Sequence, residues 1–310
     1  MTRSDIGSTA WVAADWGSTN LRLWLMSAGD TVIDRISDPR GAARLTAGAF
    51  EPVLRDLLAP AMAQPRETLL QVVACGMVGA RQGWGEAAYL TVPTAPVCAS
   101  KALIAPAGGS DLVVHILPGL QQSAPPDVMR GEETQIAGLL ATDHGFNGIV
   151  CLPGTHSKWA RVTRGKVQSF TTCMTGELFA LLSENSVLRH SVGADALDRD
   201  VFEAAARESL VRPETLSTLL FGIRAGALLA GTGPDQGKAR LSGLLIGAEI
   251  GAMRAVLADH PIAVIGEKAV SDSYLRVLRA AGLTATRIDA QDATLRGLSA
   301  AHHALKGQTV

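Results

Sequence analysis

One pattern recurs in this 310-residue chain and constrains its fold more than any other feature. Trp11–Asp15 is a short apolar run that stops at Gly17-Ser18-Thr19-Asn20. Leu21-Arg22-Leu23-Trp24-Leu25 then alternates, as a half-buried strand does. Roughly 140 residues later the device returns: Gly148–Leu152 is apolar, Pro153-Gly154-Thr155-His156-Ser157-Lys158 is a polar turn, and Trp159–Val162 continues as a strand. Small polar residues at both turns predict β-hairpins. The spacing is too long for a solenoid repeat and predicts two domains of like architecture, residues 1–147 and 148–310, in line with about 100–200 residues per domain. A final helix of the second domain can pack back on the first. No long Pro/Ser-rich linker separates the halves, so the sequence predicts domains that share a close cleft.

The remaining elements are read from the same periodicities. Gln71–Cys75 and His115–Leu117 are predicted strands, and apolar positions Ile136, Leu139 and Leu140 follow helical spacing after Arg130-Gly131-Glu132-Glu133. From Val162 onward the chain reads as mainly helical until the strand Ile262–Ile265. That strand runs into Gly266, a helix Asp272–Ala281, a strand Thr286–Ile288 and a terminal helix from Asp292. Ser242–Ala258 is strongly apolar but carries Glu249 and Arg254 and is short for a bilayer, so it is predicted to be a buried helix. A 47% hydrophobic content supports a sizeable core, while a net charge of −1 and 4% aromatic residues give no basis for nucleic-acid or anionic-membrane binding. The start shows no secretory leader. The four cysteines form no C-x-x-C pair, which predicts a reduced, cytoplasmic protein that uses them as small apolar residues.

Three polar segments carry chemistry. An aspartate at the end of a buried strand, Asp15, is costly without a partner, and a hydrated Mg²⁺ is a natural one, held through water. The following Gly17, Ser18, Thr19 and Asn20 offer backbone N–H groups and hydroxyls to phosphate oxygens. In the second turn, Gly154 permits close approach, Thr155 and Ser157 offer hydroxyls, and Lys158 offers positive charge to a phosphate or carboxylate. His156 stands in the same turn. An ordinary capped hairpin would use the same residues, but two matched turns in one chain make chance less attractive. Glu132 and Glu133 open a helix, where carboxylates serve as caps. A phosphoryl-transfer enzyme also needs one carboxylate to accept a hydroxyl proton, and Glu132 is marginally preferred over Glu133 for that role. The loop Gly76–Gly85, with Met77, Arg81, Gln82 and Trp84, could close on a polar ligand, and Thr175-Gly176-Glu177 is a weaker polar cluster. Gly231–Lys238 only superficially follows a Walker A loop: Gly231 lies one residue too early and Ala239 stands where Ser or Thr is needed.

On these residues the chain resembles a known family. Asp15–Arg22 is similar to the first phosphate motif of the hexokinase–actin–heat-shock-protein superfamily. Cys75–Trp84, Met129–Gln135, Leu152–Trp159 and Thr171–Phe179 narrow the resemblance to the 2-dehydro-3-deoxygalactonokinase family, the Leu-Pro-Gly-Thr-His-Ser-Lys-Trp run being the most specific. The resemblance implies an α/β fold of two ribonuclease-H-like (actin-like ATPase) domains. Each would have a mixed five-stranded sheet flanked by helices, with ATP and Mg²⁺ in the cleft between them. It implies 2-keto-3-deoxy-galactonate as substrate, phosphorylated at its 6-hydroxyl, and it places the catalytic carboxylate where Glu132 and Glu133 stand. Gly266-Glu267-Lys268 departs from the superfamily's Gly-Gly adenosine signature, leaving Gly266 alone as the candidate on the nucleotide side.

The expected chemistry follows. Asp15 positions Mg²⁺ through water, and the Ser18–Asn20 and Gly154–Ser157 turns grip the phosphates. Arg22, Arg81 or Lys158 neutralises charge on the sugar acid or the transferring phosphoryl. Met77, Gln82, Trp84, Thr175 and Glu177 complete the substrate side. A kinase for another keto-deoxy sugar acid, an actin-like phosphohydrolase and a non-catalytic ATP-binding module are the alternatives. Oligomeric state is left open, a homodimer included.

Overall fold

The computed structural model describes residues 6–63, 66, 68–109, 111–193 and 197–307. By its contacts the chain divides into two units. The first comprises Met1–Phe146, Thr163–Ser169 and Ala290–Val310, and the second comprises Asn147–Val162 and Phe170–Asp289.

The first unit begins with an antiparallel meander of β1 (Trp11–Trp16), β2 (Leu21–Met26) and β3 (Val32–Asp38), followed by α1 (Phe50–Met62) and β4 (Leu70–Gly76). Then come β5 (Tyr89–Thr91), β6 (Leu103–Ile104), β7 (Leu112–Ile116), β8 (Gly119–Ser123), β9 (Pro126–Met129) and α2 (Glu132–Thr142). The main sheet runs β3-β2-β1-β4-β7-β6, and β5-β8-β9 form a separate small sheet. Strand pleating sends Val12, Ala14 and Trp16 to one face, where they pack with Phe50, Leu54 and Leu58 of α1. The intervening Trp11 and Ala13 join a second cluster with Val73, Cys75, Leu298 and Ala301 on the other face. A sheet covered on both faces explains why β1 reads as a continuous apolar run.

In the second unit, β10 (Gly148–Leu152), β11 (Ser157–Thr163) and β12 (Lys166–Cys173) lead into α3 (Thr175–Asn185), α4 (Arg199–Val211), α5 (Leu216–Leu229) and α6 (Pro234–Leu257). β13 (Ile262–Gly266), α7 (Lys268–Ala280) and β14 (Ala285–Asp289) complete it. Its sheet runs β12-β11-β10-β13-β14, the same permutation as β3-β2-β1-β4-β7. β1 pairs antiparallel with β2 and parallel with β4, and β10 does the same with β11 and β13. Most of α6 is buried, including Leu244, Ile250 and Leu257, as the apolar run predicted. Gly233 caps its start and Pro234 is its first residue, so the Gly231–Lys238 stretch is a helix cap preceded by helix α5 rather than by a strand.

α8 (Ala290–Lys306) returns to the first unit and crosses α2 closely. A Cβ on Gly138 would stand 1.8 Å from the Ala293 carbonyl oxygen, and one on Gly297 2.0 Å from that of Thr134. These two glycines set the crossing distance, and α8 in turn packs on β1 and β4.

The structure departs from the sequence reading in three places. The first main sheet has six strands rather than five, because Leu103–Ile104 adds an antiparallel edge to β7. The stretch expected to be mainly helical opens with β12, whose polar sequence KVQSFTTC lies at a sheet edge with alternating burial. A single division after residue 147 also omits one crossing: Thr163–Ser169 belongs with the first unit, where Thr94 and Val167 exchange backbone hydrogen bonds of 3.1 and 2.9 Å, while α8, the final helix, lies with the first unit as well. Among the described residues no helix is long and apolar enough to cross a membrane.

Candidate active-site residues in each unit

In the first unit the chemistry gathers at the carboxyl ends of β1 and β4. Asp15 sits opposite Arg22 in the β1–β2 register and opposite Cys75 in the β1–β4 register. Arg22 Nη1 donates to Asp15 Oδ2 at 3.3 Å, and the Cys75 thiol lies 4.0 Å from Oδ1. Burial raises the Asp15 carboxyl above its usual range, opposed by the Arg22 charge and hydrogen bond. The turn that follows is pinned from behind. Ala42 and Ala43 N–H groups donate to the Gly17 and Ser18 carbonyls at 2.9 and 3.0 Å, and Gly41 N–H donates to that of Thr19 at 3.2 Å. With these carbonyls occupied, Ser18, Thr19 and Asn20 remain exposed.

The acidic helix start is drawn to the same place by two glycines. Gly76, at the end of β4, has φ +91°, and Gly131, the N-cap of α2, has φ +111°. A Cβ on Gly131 would lie 3.3 Å from the Gly76 Cα, so the two backbones touch, and both conformations lie where side chains are rarely accommodated. Burial raises the Cys75 thiol well above its ordinary value, and the charges of Asp15, Glu133 and Glu132 add to the rise.

The two glutamates differ. Glu133 is 1% exposed; its carboxylate accepts the Gly131 N–H at 2.9 and 2.7 Å and the Thr134 hydroxyl at 3.2 Å. Burial, reinforced by the Glu132 charge, pushes its carboxyl up to about 8. Glu132 is half-buried, and its Oε2 accepts the Arg130 N–H at 3.0 Å. Behind them Arg130 donates to the Ala87 carbonyl at 2.7 Å and lies over the Tyr89 ring at 4.1 Å. The folded protein thus keeps the Glu133 proton up to about pH 8, whereas an unfolded chain releases it near 4.5. This contribution is fully present below pH 4.5 and is lost as pH rises through about 8. Glu133→Gln is expected to remove that slope, raising the melting temperature above wild type at pH 8.5 and leaving it close to wild type at pH 5. Parallel melting curves of the two proteins across that range check this, and equal slopes would contradict it.

The loop after β4 divides. Arg81 and Gln82 are exposed. Met77 is half-buried and packs on the core. Trp84 is a correction: it is 5% exposed, its ring set among Trp16 and Phe50, with its indole N–H 3.4 Å from the Pro106 carbonyl. A large aromatic flanked by glycines is drawn into the apolar cluster rather than left at a loop tip.

In the second unit, Gly154, Thr155 and His156 are exposed at the β10–β11 turn. α3 holds this turn: Glu177 N–H donates to the Thr155 carbonyl at 2.9 Å, and a Cβ on Gly176 would stand 2.3 Å from the Gly154 carbonyl oxygen. His156 Nε2 lies 2.5 Å from Glu177 Oε2, so these two predicted ligand contacts are engaged with each other. Ser157 and Lys158 are corrections. Ser157 is wholly buried, its hydroxyl 2.7 Å from that of Tyr274, and Lys158 is 5% exposed and donates to Thr172 Oγ1 at 2.8 Å. Both belong to β11 itself rather than to the turn. Gly266 is buried at the end of β13, where a Cβ would meet Ser271 Oγ at 2.7 Å and Pro153 at 3.4 Å. It makes room behind the turn.

What sequence reasoning missed is the buried network beneath this turn. Glu249 of α6 accepts from the Trp159 indole at 2.7 Å and the Tyr274 hydroxyl at 2.7 Å, and Thr175 and Ser157 also hydrogen-bond to it. Burial raises its carboxyl, and these four donors oppose the rise. A glutamate inside an apolar helix, in a chain whose buried tryptophan needs an acceptor, was the available signal. Beside the network lies a cavity of about 390 Å³, apolar in its lining of Phe179, Leu245, Ile246 and Val270 and bounded by Gly154 and Thr175. Glu249→Ala would remove the acceptor these buried donors share and is expected to cost roughly 2–5 kcal/mol of stability. Chemical denaturation checks this, and an unchanged midpoint would contradict it.

Comparison with known proteins follows this geometry closely in extent. The profile of the 2-keto-3-deoxy-galactonokinase family matches residues 15–301. The chain is similar to a Rhizobium meliloti (strain 1021) protein named as a probable 2-dehydro-3-deoxygalactonokinase, with 38% identity covering 95% of this chain and 97% of that one. It is 34% identical to the 2-dehydro-3-deoxygalactonokinase of Escherichia coli (strain K12), covering 95% and 98%. A crystal structure from Sinorhizobium meliloti, assigned as a 2-dehydro-3-deoxygalactonokinase protein, superposes with a TM-score of 0.88 at 38% identity, covering 95% and 99%. Component A of the (R)-2-hydroxyglutaryl-CoA dehydratase of Acidaminococcus fermentans shares the fold, with a TM-score of 0.53 at 13% identity, covering 95% of this chain and 98% of that one.

Proposed function

The chain belongs to the 2-keto-3-deoxy-galactonokinase family, and from that premise we propose that it transfers the γ-phosphoryl group of ATP to the 6-hydroxyl of 2-dehydro-3-deoxy-D-galactonate, as a step of D-galactonate breakdown. The observation that carries the chemistry is the convergence in the first unit of Asp15, the exposed Ser18–Asn20 turn and the acidic start of α2, brought together where Gly131 meets Gly76. We read the two similarly ordered sheets as the ribonuclease-H-like halves of an actin-like ATPase.

Phosphoryl transfer asks little covalent chemistry of a protein and depends on positioning and charge. Asp15 fits a hydrated Mg²⁺, because a carboxylate at the end of a buried strand, engaged by the Arg22 contact on Oδ2, would hold such an ion through water. The chemistry such an ion would supply is positive charge against the phosphate oxygens of bound ATP. In the first unit the Ser18–Asn20 hydroxyls and amides are the groups available to phosphate oxygens; in the second, the Gly154–Thr155 turn offers its own phosphate contacts and the apolar cavity beside Thr175 suits an adenosine. Glu132 is the base. Glu133 retains its proton at neutral pH and so cannot accept one from a substrate hydroxyl, whereas Glu132 is half-buried and reachable. Glu133 fixes the helix start instead. Arg81 and Gln82 are the exposed polar groups available to the sugar acid's carboxylate.

The test is ATP consumption by purified protein with 2-dehydro-3-deoxy-galactonate, its gluconate epimer and other sugar acids. The galacto compound is expected to give the highest kcat/KM. Preference for a different keto-deoxy acid would replace the substrate, and turnover with none of them would end the reading.

A further inference from the structure

On the α8 side of the first unit, three side chains that the transfer chemistry does not use converge. Asp30 lies in the turn between β2 and β3, and His302 and His303 are neighbours on α8. One ligand atom from each lies within 4.8 Å of the others. The turn is rigid: Asp30 N–H donates to the Ser27 carbonyl at 3.1 Å, its φ is +59°, and its Oδ1 accepts the Trp11 indole N–H at 2.9 Å. His303 Nε2 lies 2.5 Å from Asp30 Oδ2. His302 is 1% exposed and stacked on Trp11, with ring centroids 4.0 Å apart. Its Nδ1 is buried and has no hydrogen-bond partner among the described residues, and it lies 3.9 Å from Asp30 Oδ1. A buried polar atom left unpaired beside a carboxylate and a second imidazole needs a reason.

We infer that Asp30, His302 Nδ1 and His303 Nε2 form a site for one zinc-class divalent ion, which ties the C-terminal helix to the β2–β3 turn. Two imidazoles and one carboxylate are a donor set for Zn²⁺ or Co²⁺, with water completing a tetrahedron, whereas Mg²⁺ prefers oxygen alone. Metal–ligand bonds of about 2.0–2.2 Å place tetrahedral donors about 3.4 Å apart. The cluster would therefore close by up to about 1.4 Å at its widest, and the 2.5 Å His303–Asp30 contact would open by about 1 Å; the exposed His303 side chain can supply both movements. His303 and Asp30 form the accessible side through which the ion enters.

The full-length protein is stripped with chelator and titrated with Co²⁺ and then Zn²⁺ in buffer containing excess Mg²⁺, following the Co²⁺ visible spectrum, metal content and melting temperature. Wild type is expected to bind one ion with micromolar affinity, to show tetrahedral Co²⁺ bands and to melt several degrees higher with Zn²⁺. His303→Gln and Asp30→Asn each weaken binding on the order of tenfold or more, and the double variant abolishes it. The metal-free variants, which spare the buried His302, melt close to metal-free wild type. Undiminished binding by the double variant, no binding by wild type, or Co²⁺ thiolate bands that place the ion on a cysteine would each overturn the assignment.

Discussion

Asp15→Asn is expected to lower kcat by about 10²–10³-fold or more while leaving KM for the sugar acid nearly unchanged. The substitution keeps size and removes charge. Its effect falls on the stage at which negative charge shifts among the phosphate oxygens, not on sugar binding. The fold should tolerate it. Asp15 is desolvated, and its one charged partner, Arg22, is about a third exposed and can return to water. A melting temperature near that of wild type, with turnover lost, is the predicted combination. Near-normal turnover would refute the metal role of Asp15, and loss of sugar-acid affinity instead of rate would make Asp15 a substrate contact.

Glu132→Gln is expected to lower kcat by about 10²-fold or more. Glu133→Gln should cost much less rate and act mainly on the pH dependence of stability. The contrast follows from local structure. Both residues open α2, yet the helix start turns Glu133 inward onto the Gly131 N–H and leaves Glu132 half-buried. If the two variants exchanged behaviour, the base would be Glu133. If both retained rate, the base would lie outside this helix.

The sequence carried the recurring hairpins, the acidic helix start and the buried α6 because each rests on a strong local signal. Continuous apolar runs mark strands covered on both faces, and a charged pair after a glycine marks a helix start. It carried less of the edges. β3 and β12 are half-exposed and polar, and the two-residue β6 exists only because β7 offers it a ladder, so tertiary pairing rather than periodicity makes them strands. Ser157, Lys158 and Trp84 were expected at ligands because their side chains are polar or amphipathic. Their burial depends on distant partners, Tyr274, Thr172 and Phe50, that no local window contains. The Glu249 network and the Asp30–His302–His303 cluster were beyond local reading for the same reason: their members stand far apart in the chain.

Phosphorus NMR of the purified protein with ATP, Mg²⁺ and 2-dehydro-3-deoxy-galactonate tests the central claim most directly. One sugar phosphate is expected for each ADP formed, with no ADP when the sugar acid is omitted. Free phosphate appearing at the same rate with or without the sugar acid would mean that the acceptor is water and the chain is not a kinase.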